Sequence, residues 1–234
     1  MTSLNETAIL VFSRNANEEA NEKKYNNYVS SKQAVEIAGQ LIDHTLNQAK
    51  ATGLPVYTFY TNKQHGGSFG ERLANAIEKV FSDGVSNLII IGGDSPAITA
   101  NIISRAVHNL QKQNAVIAPT NDGGVYLIGL TKQAYQRNLF IDIPWLTDQV
   151  FDALTQYFLL LKTPSIKEVY GDDIDNIPAL YNWLQHHSTD FLSVVFNSIL
   201  SSFKKLHQVL SYCAFIEDAV FTKVSLRGPP QLAV

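Results

Sequence analysis

Five short apolar runs rich in valine, isoleucine and leucine recur along the first 130 residues: Ala8–Phe12, Val56–Tyr60, Leu88–Ile91, Ala115–Ala118 and Val125–Leu130. Continuous apolar runs of this length are typical of strands that are covered on both faces of a sheet. Between these runs, apolar residues repeat every three or four positions, as they do from Ala34 to Thr45, which predicts amphipathic helices. The alternation of strand and helix predicts an α/β fold with a mainly parallel sheet.

The pattern changes after the fifth run. Thr147 is a suitable N-cap for a helix that runs through Tyr157, a short strand is predicted at Ile166–Tyr170, and the sequence turns helical after Pro178. An apolar stripe from Leu192 to Leu210 predicts an amphipathic helix that packs on the domain or on a partner. We therefore divide the chain into a domain of residues 1–188 and a C-terminal helical extension of residues 189–234, which offers a surface for a homo-oligomer. The tail from Gly228 is expected to be frayed.

One stretch differs in composition from the rest. Asn15–Asn27 contains five asparagines, three glutamates and the pair Lys23-Lys24. Few of its residues can be buried, so it is expected to form an exposed polar loop that need not be ordered.

Composition excludes several classes of function. The 234 residues carry a net charge of −3 and a single cysteine, Cys213, which rules out an internal disulfide or a cysteine-based zinc site and is expected to be inert. Basic residues cluster no further than lysine pairs, so a nucleic-acid partner is not expected. The stretch Phe191–Phe203 is too short to span a membrane, and the N-terminus lacks the features of a signal peptide. We expect a soluble, cytoplasmic protein.

In a parallel sheet, ligands bind at the carboxyl ends of the strands. Asp94 directly follows the run Leu88–Ile91, and Gly92 and Gly93 allow close approach of the backbone. A carboxylate in this position can hold a divalent metal or a ribose hydroxyl. It can equally cap the helix that follows, and the sequence leaves both interpretations open. Arg14, directly after the first strand, is a candidate for binding substrate.

A turn signal lies between the last two apolar runs. Asp122-Gly123 flanked by strands predicts a tight hairpin turn, which Gly124 extends. The same turn could direct backbone N–H groups at a ligand, and the two interpretations are compatible.

Three aspartates, Asp172, Asp173 and Asp175, stand within four residues. Carboxylates this close repel one another unless solvent or a cation neutralises them. Mg²⁺ or Mn²⁺ usually takes one or two carboxylates together with substrate phosphates, so Asp94 with Asp173 or Asp175 would suffice. An exposed turn and helix cap is the alternative.

A glycine-rich segment, Gly66–Gly70, precedes the helix that is predicted to run through Val80. Arg72 lies at the start of this helix. Arg72 is the best single cation for a phosphate or carboxylate. A surface salt bridge is an equally reasonable role for it.

The wording of several segments resembles a bacterial family of glycosyltransferase-A-like nucleotide-diphospho-sugar transferases, often described as arsenosugar-biosynthesis-type glycosyltransferases. The resemblance covers roughly Ala8 to Leu184 and rests on six segments: Ala8–Asn15, Gly70–Ala76, Ile91–Pro96, Asp122–Leu130, Ile143–Asp148 and Asp173–Asp175. It implies a Rossmann-like, three-layer fold of the GT-A type.

The resemblance also implies roles for residues. Asp94 stands at the family's metal-binding motif, and Asp122-Gly123-Gly124 stands where sugar or acceptor contacts are expected. Asp122 and Asp94 are thus the predicted catalytic residues, and Asp94, Asp173 and Asp175 the predicted ligands of Mg²⁺ or Mn²⁺. The predicted nucleotide- or substrate-binding residues are Arg14, Arg72, Gly92, Gly93, Gly123, Gly124, Trp145 and Thr147. The expected partners are a nucleotide-sugar and a small-molecule acceptor.

The chain departs from the family after its first strand. Where the family typically carries a glycine followed by Lys-Val-Lys-Thr-Arg-Leu, this chain has Glu19–Tyr25. Losing two charge-assisted hydrogen bonds would weaken diphosphate binding by about 3–6 kcal/mol, unless Lys23 and Lys24 compensate. The leading hypothesis is a metal-dependent glycosyltransferase that uses a nucleotide-diphospho-sugar donor. A nucleotidyltransferase of the same fold, or a non-catalytic binding protein that lost the donor site, is the alternative.

Overall fold

A computed structural model describes residues 6–201 of the chain. Its contacts divide the chain into a first unit that ends at Ser188 and a second that begins at Thr189. In the second unit, residues 191–201 are helical. Three expectations lie outside the described residues: the continuation of the amphipathic stripe to Leu210, the inert Cys213 and the frayed tail from Gly228.

The first unit is built on a six-stranded sheet with the strand order β2-β1-β3-β5-β4-β6. Strand β5 runs antiparallel to its neighbours β3 and β4, and every other neighbouring pair is parallel. The predicted mainly parallel sheet is confirmed, and each of the five apolar runs forms a strand. The strands are β1 (Thr7–Phe12), β2 (Val56–Phe59), β3 (Asn87–Ile91), β4 (Ala115–Pro119), β5 (Val125–Thr131) and β6 (Ser165–Lys167).

Helices cover both faces of this sheet, which gives three layers. Alternate residues of β1 enter different cores: Ile9 and Val11 pack with α2 and α4, whereas Leu10 and Phe12 pack with α3, α5 and α6. Because both faces are buried, the strands carry continuous apolar sequence. The helices of this unit are α1 (Ala16–Glu22), α2 (Ser31–Ala51), α3 (Phe69–Ser82), α4 (Ala100–Gln111), α5 (Arg137–Ile141), α6 (Val150–Leu160) and α7 (Ile177–His186).

The asparagine-rich stretch is not a loop, which corrects the expectation from composition. Asn15 caps α1 by accepting a hydrogen bond from the Glu18 N–H, 3.0 Å away. Ala20 is fully buried, as is Tyr25, which begins a 3₁₀ turn and donates its hydroxyl proton to the Ile174 carbonyl. Two buried side chains and a cap are enough to order a polar segment, and an average composition does not register them.

Two predictions about the chain after β5 are corrected. Thr147 does not cap α6, which begins at Val150 after Gln149. The Thr147 hydroxyl instead closes the preceding turn, since it donates to Pro144 O at 2.7 Å and accepts from Gln149 N at 3.2 Å. The strand predicted at Ile166–Tyr170 is the shorter β6.

Among the described residues, no helix combines the length and the apolar character needed to cross a membrane.

Candidate functional site

The site lies where β1 and β3 end and β5 begins. Since β1 and β3 are parallel neighbours and β5 is antiparallel to β3, the loops after the first two strands meet the turn before the third. Two adjoining cavities open at this edge, a larger one of about 560 Å³ and a smaller one of about 210 Å³. Both are lined by Phe12, Phe69, Gly92, Val125, Leu146 and Asp173.

The larger cavity combines aromatic rings with acidic side chains. Phe69 and Trp145 form part of its wall, their ring centroids 5.6 Å apart, and Asp122 and Thr147 also line it. The Trp145 indole N–H donates to the Phe140 carbonyl at 3.0 Å, which fixes the orientation of the ring. Asp122, Trp145 and Thr147, three of the predicted site residues, are thus brought to one cavity.

The smaller cavity is lined by charged side chains of both signs. Arg14 and Arg72 face it together with Glu19 and Asp94, and its remaining predicted residues are Gly92, Gly93 and Asp173. Residues from the ends of β1 and β3 and from the start of α3 therefore converge here, as their positions after strands predicted.

The acidic cluster of Asp94, Asp175 and Glu19 is filled by a lysine. The Lys23 ammonium lies 2.6 Å from Asp94 Oδ2, 3.0 Å from Asp175 Oδ1 and 3.3 Å from Glu19 Oε1. It also donates to the Ile174 carbonyl at 3.2 Å, and the Lys23 side chain is only 8% exposed. The buried lysine and the three carboxylates, of which Asp175 is 53% exposed, form one ionic network, which we call the Lys23 cluster.

Electrostatics within the Lys23 cluster favour the charged forms. Burial by itself would lower the pKa of Lys23, but the negative charges around it, that of Asp94 foremost, raise the pKa well above its usual value. Burial would likewise raise the pKa of Asp94, but the charge and hydrogen bond of Lys23 bring it below its usual value.

The predicted metal ligands do not fit a divalent ion while this ammonium is present. Asp94 and Asp175 both direct a carboxylate oxygen at Lys23, and a cation bound to the same oxygens would be repelled by the lysine. In the described part of the chain, the third predicted ligand, Asp173, forms no ion pair and no hydrogen bond with Lys23. With Lys23 in place, no three histidine, cysteine, aspartate or glutamate side chains within residues 6–201 are arranged as a group that could hold a metal.

Asp173 has a distinct character. One of its carboxylate oxygens, Oδ1, is buried without a hydrogen-bond partner among the described residues. Burial, reinforced by the negative charge of Asp94, raises the pKa of Asp173 to about 8. The raised pKa favours the neutral carboxyl group, which can donate a hydrogen bond where a carboxylate cannot.

The two arginines of the smaller cavity differ in their availability. Arg14 is held by Glu19 at 3.4 Å and by Glu22 at 3.3 Å. Arg72 forms no ion pair with any residue that the structure describes, and its buried Nε has no hydrogen-bond partner there. Among the described residues, Arg72 therefore does not form the surface salt bridge that was its alternative role. Its guanidinium is free to bind an anion.

The N–H groups of Gly67 and Ser68, in the glycine-rich segment before α3, are hydrogen-bonded to a side chain of α3 itself. Glu71 Oε2 accepts hydrogen bonds from the Gly67 N–H at 2.7 Å and the Ser68 N–H at 3.0 Å, and these bonds lower the pKa of Glu71. Ser68 Oγ in turn accepts from the Glu71 N–H, which completes a capping box. These amides are therefore not open to a ligand.

The turn Asp122-Gly123-Gly124 joins β4 to β5 as the hairpin signal predicted. Asp122 Oδ1 accepts from the Gly124 N–H at 3.1 Å and from the Thr120 hydroxyl, and the Gly123 N–H donates to Thr120 O at 3.4 Å. Both glycine amides are thus used within the turn, which corrects the idea that they face a ligand. The Asp122 side chain remains exposed at the larger cavity.

The structure excludes one alternative for the aspartates, the role of a helix cap. Helix α4 is capped by Thr99 and not by Asp94. Helix α7 is capped by Asn176, whose side chain accepts from the Ala179 N–H at 2.8 Å, and not by Asp175. Neither aspartate is used as a helix cap, so both remain available to the Lys23 cluster.

Sequence reasoning missed three residues of the site. Phe69 and Leu146 line both cavities, and Leu146 is 68% exposed with a left-handed backbone, φ 65°. A non-glycine residue with positive φ is unusual and often marks a functional site. The third is Lys23, which the sequence named with Lys24 as a compensation for lost diphosphate contacts and not as a partner of Asp94. Nothing in local spacing signals its contact with Asp94, 71 positions away.

Comparison with known proteins gives a family match and no curated relative. The family described as "Uncharacterized protein conserved in bacteria (DUF2064)" matches residues 29–147, about half of the chain. This stretch contains Arg72, Asp94 and Asp122 but not Lys23 or Asp175. No curated protein matches the chain.

Solved structures share the fold at low sequence identity. A "putative nucleotide-diphospho-sugar transferase" from Desulfovibrio desulfuricans G20 is 19% identical over 86% of this chain and 97% of its own, with a TM-score of 0.73. The 4-diphosphocytidyl-2C-methyl-D-erythritol synthase of Anaerococcus prevotii DSM 20548 is 11% identical over 78% and 100%, with a TM-score of 0.50. Rv0371c of Mycobacterium tuberculosis H37Rv, solved with manganese, is 12% identical over 77% and 98%, with a TM-score of 0.43.

These similarities are those of fold alone. They agree with the Rossmann-like nucleotide-diphospho-sugar transferase fold that the sequence resemblance implied. The manganese of the third structure carries no argument for this chain, because a TM-score of 0.43 is too low a structural similarity.

Proposed function

This chain belongs to the bacterial family described as "Uncharacterized protein conserved in bacteria (DUF2064)", and we propose that it is a glycosyltransferase that uses a nucleotide-diphospho-sugar donor. The observation that carries the proposal is the free guanidinium of Arg72, which faces a charged cavity beside an aromatic one. A nucleotide-diphospho-sugar has the matching division, with an anionic centre between a ribose and a second, neutral sugar.

The diphosphate belongs in the smaller cavity. A guanidinium can donate two parallel hydrogen bonds to phosphate oxygens, and each charge-assisted bond contributes about 1.5–3 kcal/mol. Asp94 lines the same cavity, and its Oδ2 makes the contact with Lys23. A carboxylate has further lone pairs, so Asp94 can also accept a hydrogen bond from a ribose hydroxyl.

The transferred sugar belongs in the larger cavity. Its volume of about 560 Å³ lies in the ordinary range for small-ligand sites. The ring of Trp145 offers a flat apolar surface, while Asp122 can accept and Asp173 can donate hydrogen bonds to sugar hydroxyls. Gly92 lines both cavities, and its lack of a side chain leaves room for the donor to extend from one cavity into the other.

The chemistry is then a displacement at the anomeric carbon of the sugar. The bond between this carbon and the diphosphate oxygen breaks, and a bond to the acceptor oxygen forms. The exposed carboxylate of Asp122 is placed to take the proton of the acceptor as general base. Arg72 stabilises the negative charge that develops on the leaving diphosphate.

A second candidate is a non-catalytic protein that binds sugars or nucleotides weakly. It is favoured by one observation, the pairing of Arg14 with Glu19 and Glu22, which withdraws a second cation from the diphosphate. Product analysis separates the candidates: release of a nucleoside diphosphate supports transfer, and no turnover despite binding supports the second candidate. Formation of pyrophosphate from a nucleoside triphosphate and a sugar phosphate would indicate nucleotidyl transfer.

The test of the proposal is calorimetric titration with UDP-, GDP-, CDP- and ADP-sugars, each with Mn²⁺ and with EDTA. At least one donor is expected to bind, and Arg72→Ala is expected to weaken it tenfold or more, since it removes a charge-assisted contact. Lys79→Ala is the matched control, because Lys79 lies on the same helix but pairs with Asp83 outside both cavities. Absence of heat for all four donors in both buffers would refute the donor site.

Release of Arg14 is expected to tighten the same binding. Glu22 is 61% exposed, so Glu22→Gln removes its pairing with Arg14 at little cost in stability. We expect the affinity for the donor to rise about two- to fivefold, because Arg14 is then held by Glu19 alone and a negative charge is lost near the diphosphate. Glu36→Gln on α2 is the control with the same change of charge. Equal affinities for the two variants would show that Arg14 does not reach the ligand.

A further inference from the structure

The Lys23 cluster stands where the resemblance predicts a divalent metal. We propose that Lys23 is the resident cation of this site and holds Asp94 and Asp175 in place of Mg²⁺ or Mn²⁺. The donor's diphosphate is then bound without a divalent metal, a consequence that rests on the proposed function. The cation is supplied by the chain itself, from the residue that ends α1.

The geometry of the cluster suits an ammonium. Four oxygens lie between 2.6 and 3.3 Å from Nζ: those of Asp94 and the Ile174 carbonyl accept hydrogen bonds, and those of Asp175 and Glu19 form ion pairs. Mg²⁺ needs its oxygens at about 2.0–2.1 Å in near-octahedral order. The carboxylates of Asp94 and Asp175 thus form part of a cage of the size that an ammonium needs.

The elements that carry this cage are tied together independently of Lys23. The Tyr25 hydroxyl joins the segment after α1 to Ile174, whose N–H donates to the Asp94 carbonyl at 3.2 Å. Ser95 Oγ adds a hydrogen bond to the Asp172 carbonyl at 2.8 Å. The end of β3, the start of the 172–175 segment and the end of α1 are therefore linked by neutral hydrogen bonds, which keep the oxygens close when the lysine is removed.

The cluster also explains how the charges of the smaller cavity are shared. The Lys23 ammonium donates hydrogen bonds to Asp94 and to the Ile174 carbonyl and also pairs with Asp175 and Glu19, so its charge is committed to oxygens of the chain itself. Its role is to neutralise carboxylates that would otherwise repel an anionic donor. Contact with the diphosphate is left to Arg72.

The test is a titration of the full chain with MnCl₂ in the absence of nucleotide, in which electron paramagnetic resonance measures the bound Mn²⁺. The wild type is expected to hold no stoichiometric Mn²⁺. Lys23→Ala leaves the carboxylates of Asp94, Asp175 and Glu19 without their cation and is expected to bind one Mn²⁺ at least tenfold more tightly than the wild type. Mn²⁺ should also raise the Tm of Lys23→Ala and leave that of the wild type unchanged.

Lys24→Ala is the matched control, since it removes the same charge from the adjacent exposed residue and should behave as the wild type. One Mn²⁺ bound to the wild type and lost in Asp94→Asn would overturn the inference. Failure of both the wild type and folded Lys23→Ala to bind Mn²⁺ would also overturn it, because the carboxylates would then not form a cation site. If Lys23→Ala does not fold, the wild-type titration decides alone.

The metal titration contains no nucleotide, so it stands apart from the proposed function. Donor affinity that is the same in EDTA and in Mn²⁺ supports both. Donor binding that requires Mn²⁺ would overturn the resident cation and leave the glycosyltransferase proposal in place.

Discussion

Replacement of Lys23 by methionine is expected to lower the free energy of unfolding by about 3–5 kcal/mol. Methionine keeps the length of the side chain and removes its charge. Asp94 then loses its partner at 2.6 Å, and Glu19, whose side chain is 7% exposed, keeps only Arg14 at 3.4 Å. A buried carboxylate without a counter-charge is costly, because desolvation is no longer offset. Urea denaturation monitored by circular dichroism measures the change.

Two further variants make this expectation specific. Lys24→Met removes the adjacent, exposed lysine and should cost less than about 1 kcal/mol. The double variant Lys23→Met/Asp94→Asn should lose less stability than the sum of the single variants, with a coupling energy of about 1–3 kcal/mol. Additive losses would mean that the two side chains do not interact in solution.

Replacement of Gly123 by alanine is expected to cost about 3 kcal/mol or more. Gly123 has a φ of 91°, which strains any other residue by about 1–3 kcal/mol. A Cβ at this position would also collide with the Asp148 carbonyl and lie 2.8 Å from the Asp148 carbonyl carbon. Backbone cannot move aside as a flexible side chain can, so overpacking adds about 1–3 kcal/mol.

Gly84 separates these two contributions. Its φ of 93° nearly equals that of Gly123, but no atom lies within 4 Å of a Cβ built on it. Gly84→Ala should therefore show the backbone strain alone, about 1–3 kcal/mol. Equal losses of stability in the two variants would show that the turn at Gly123 is not pressed against Asp148.

The strands could be predicted because burial on both faces leaves a continuous apolar signature in the sequence. Each run from Ala8–Phe12 to Val125–Leu130 forms a strand, and the Asp122-Gly123 signal marks the one antiparallel turn in the series. Signals of this kind are local, so they survive in a single sequence. Where order comes from a few contacts, as at Tyr25 in the 3₁₀ turn after α1, average polarity gave the wrong answer.

For the site, the sequence located the residues but not their pairing. Arg14 and Asp94, which follow β1 and β3, line one cavity together with Arg72 from the first turn of α3. In the segment Glu19–Tyr25, the sequence indicated only a loss of cations for the diphosphate, and it did not show what Glu19 and Glu22 contact. They bind cations of the chain itself, Arg14 and Lys23, which are contributed by the same short segment.

The pairing of Lys23 with Asp94 could not be read from the sequence. It joins residues 71 positions apart and depends on the rotation of α1 against the end of β3. If α1 were rotated about its axis by the angle of one residue, a different side chain would face the carboxylates. Local spacing carries no information on that rotation.

The most direct test of this account is a crystal structure of the full chain soaked with MnCl₂ and whichever of UDP, GDP, CDP and ADP binds best. The account predicts the diphosphate against Arg72, the Lys23 ammonium still at Asp94, and no anomalous manganese peak at Asp94 or Asp175. A manganese ion coordinated by Asp94, with Lys23 displaced from it, would contradict the account.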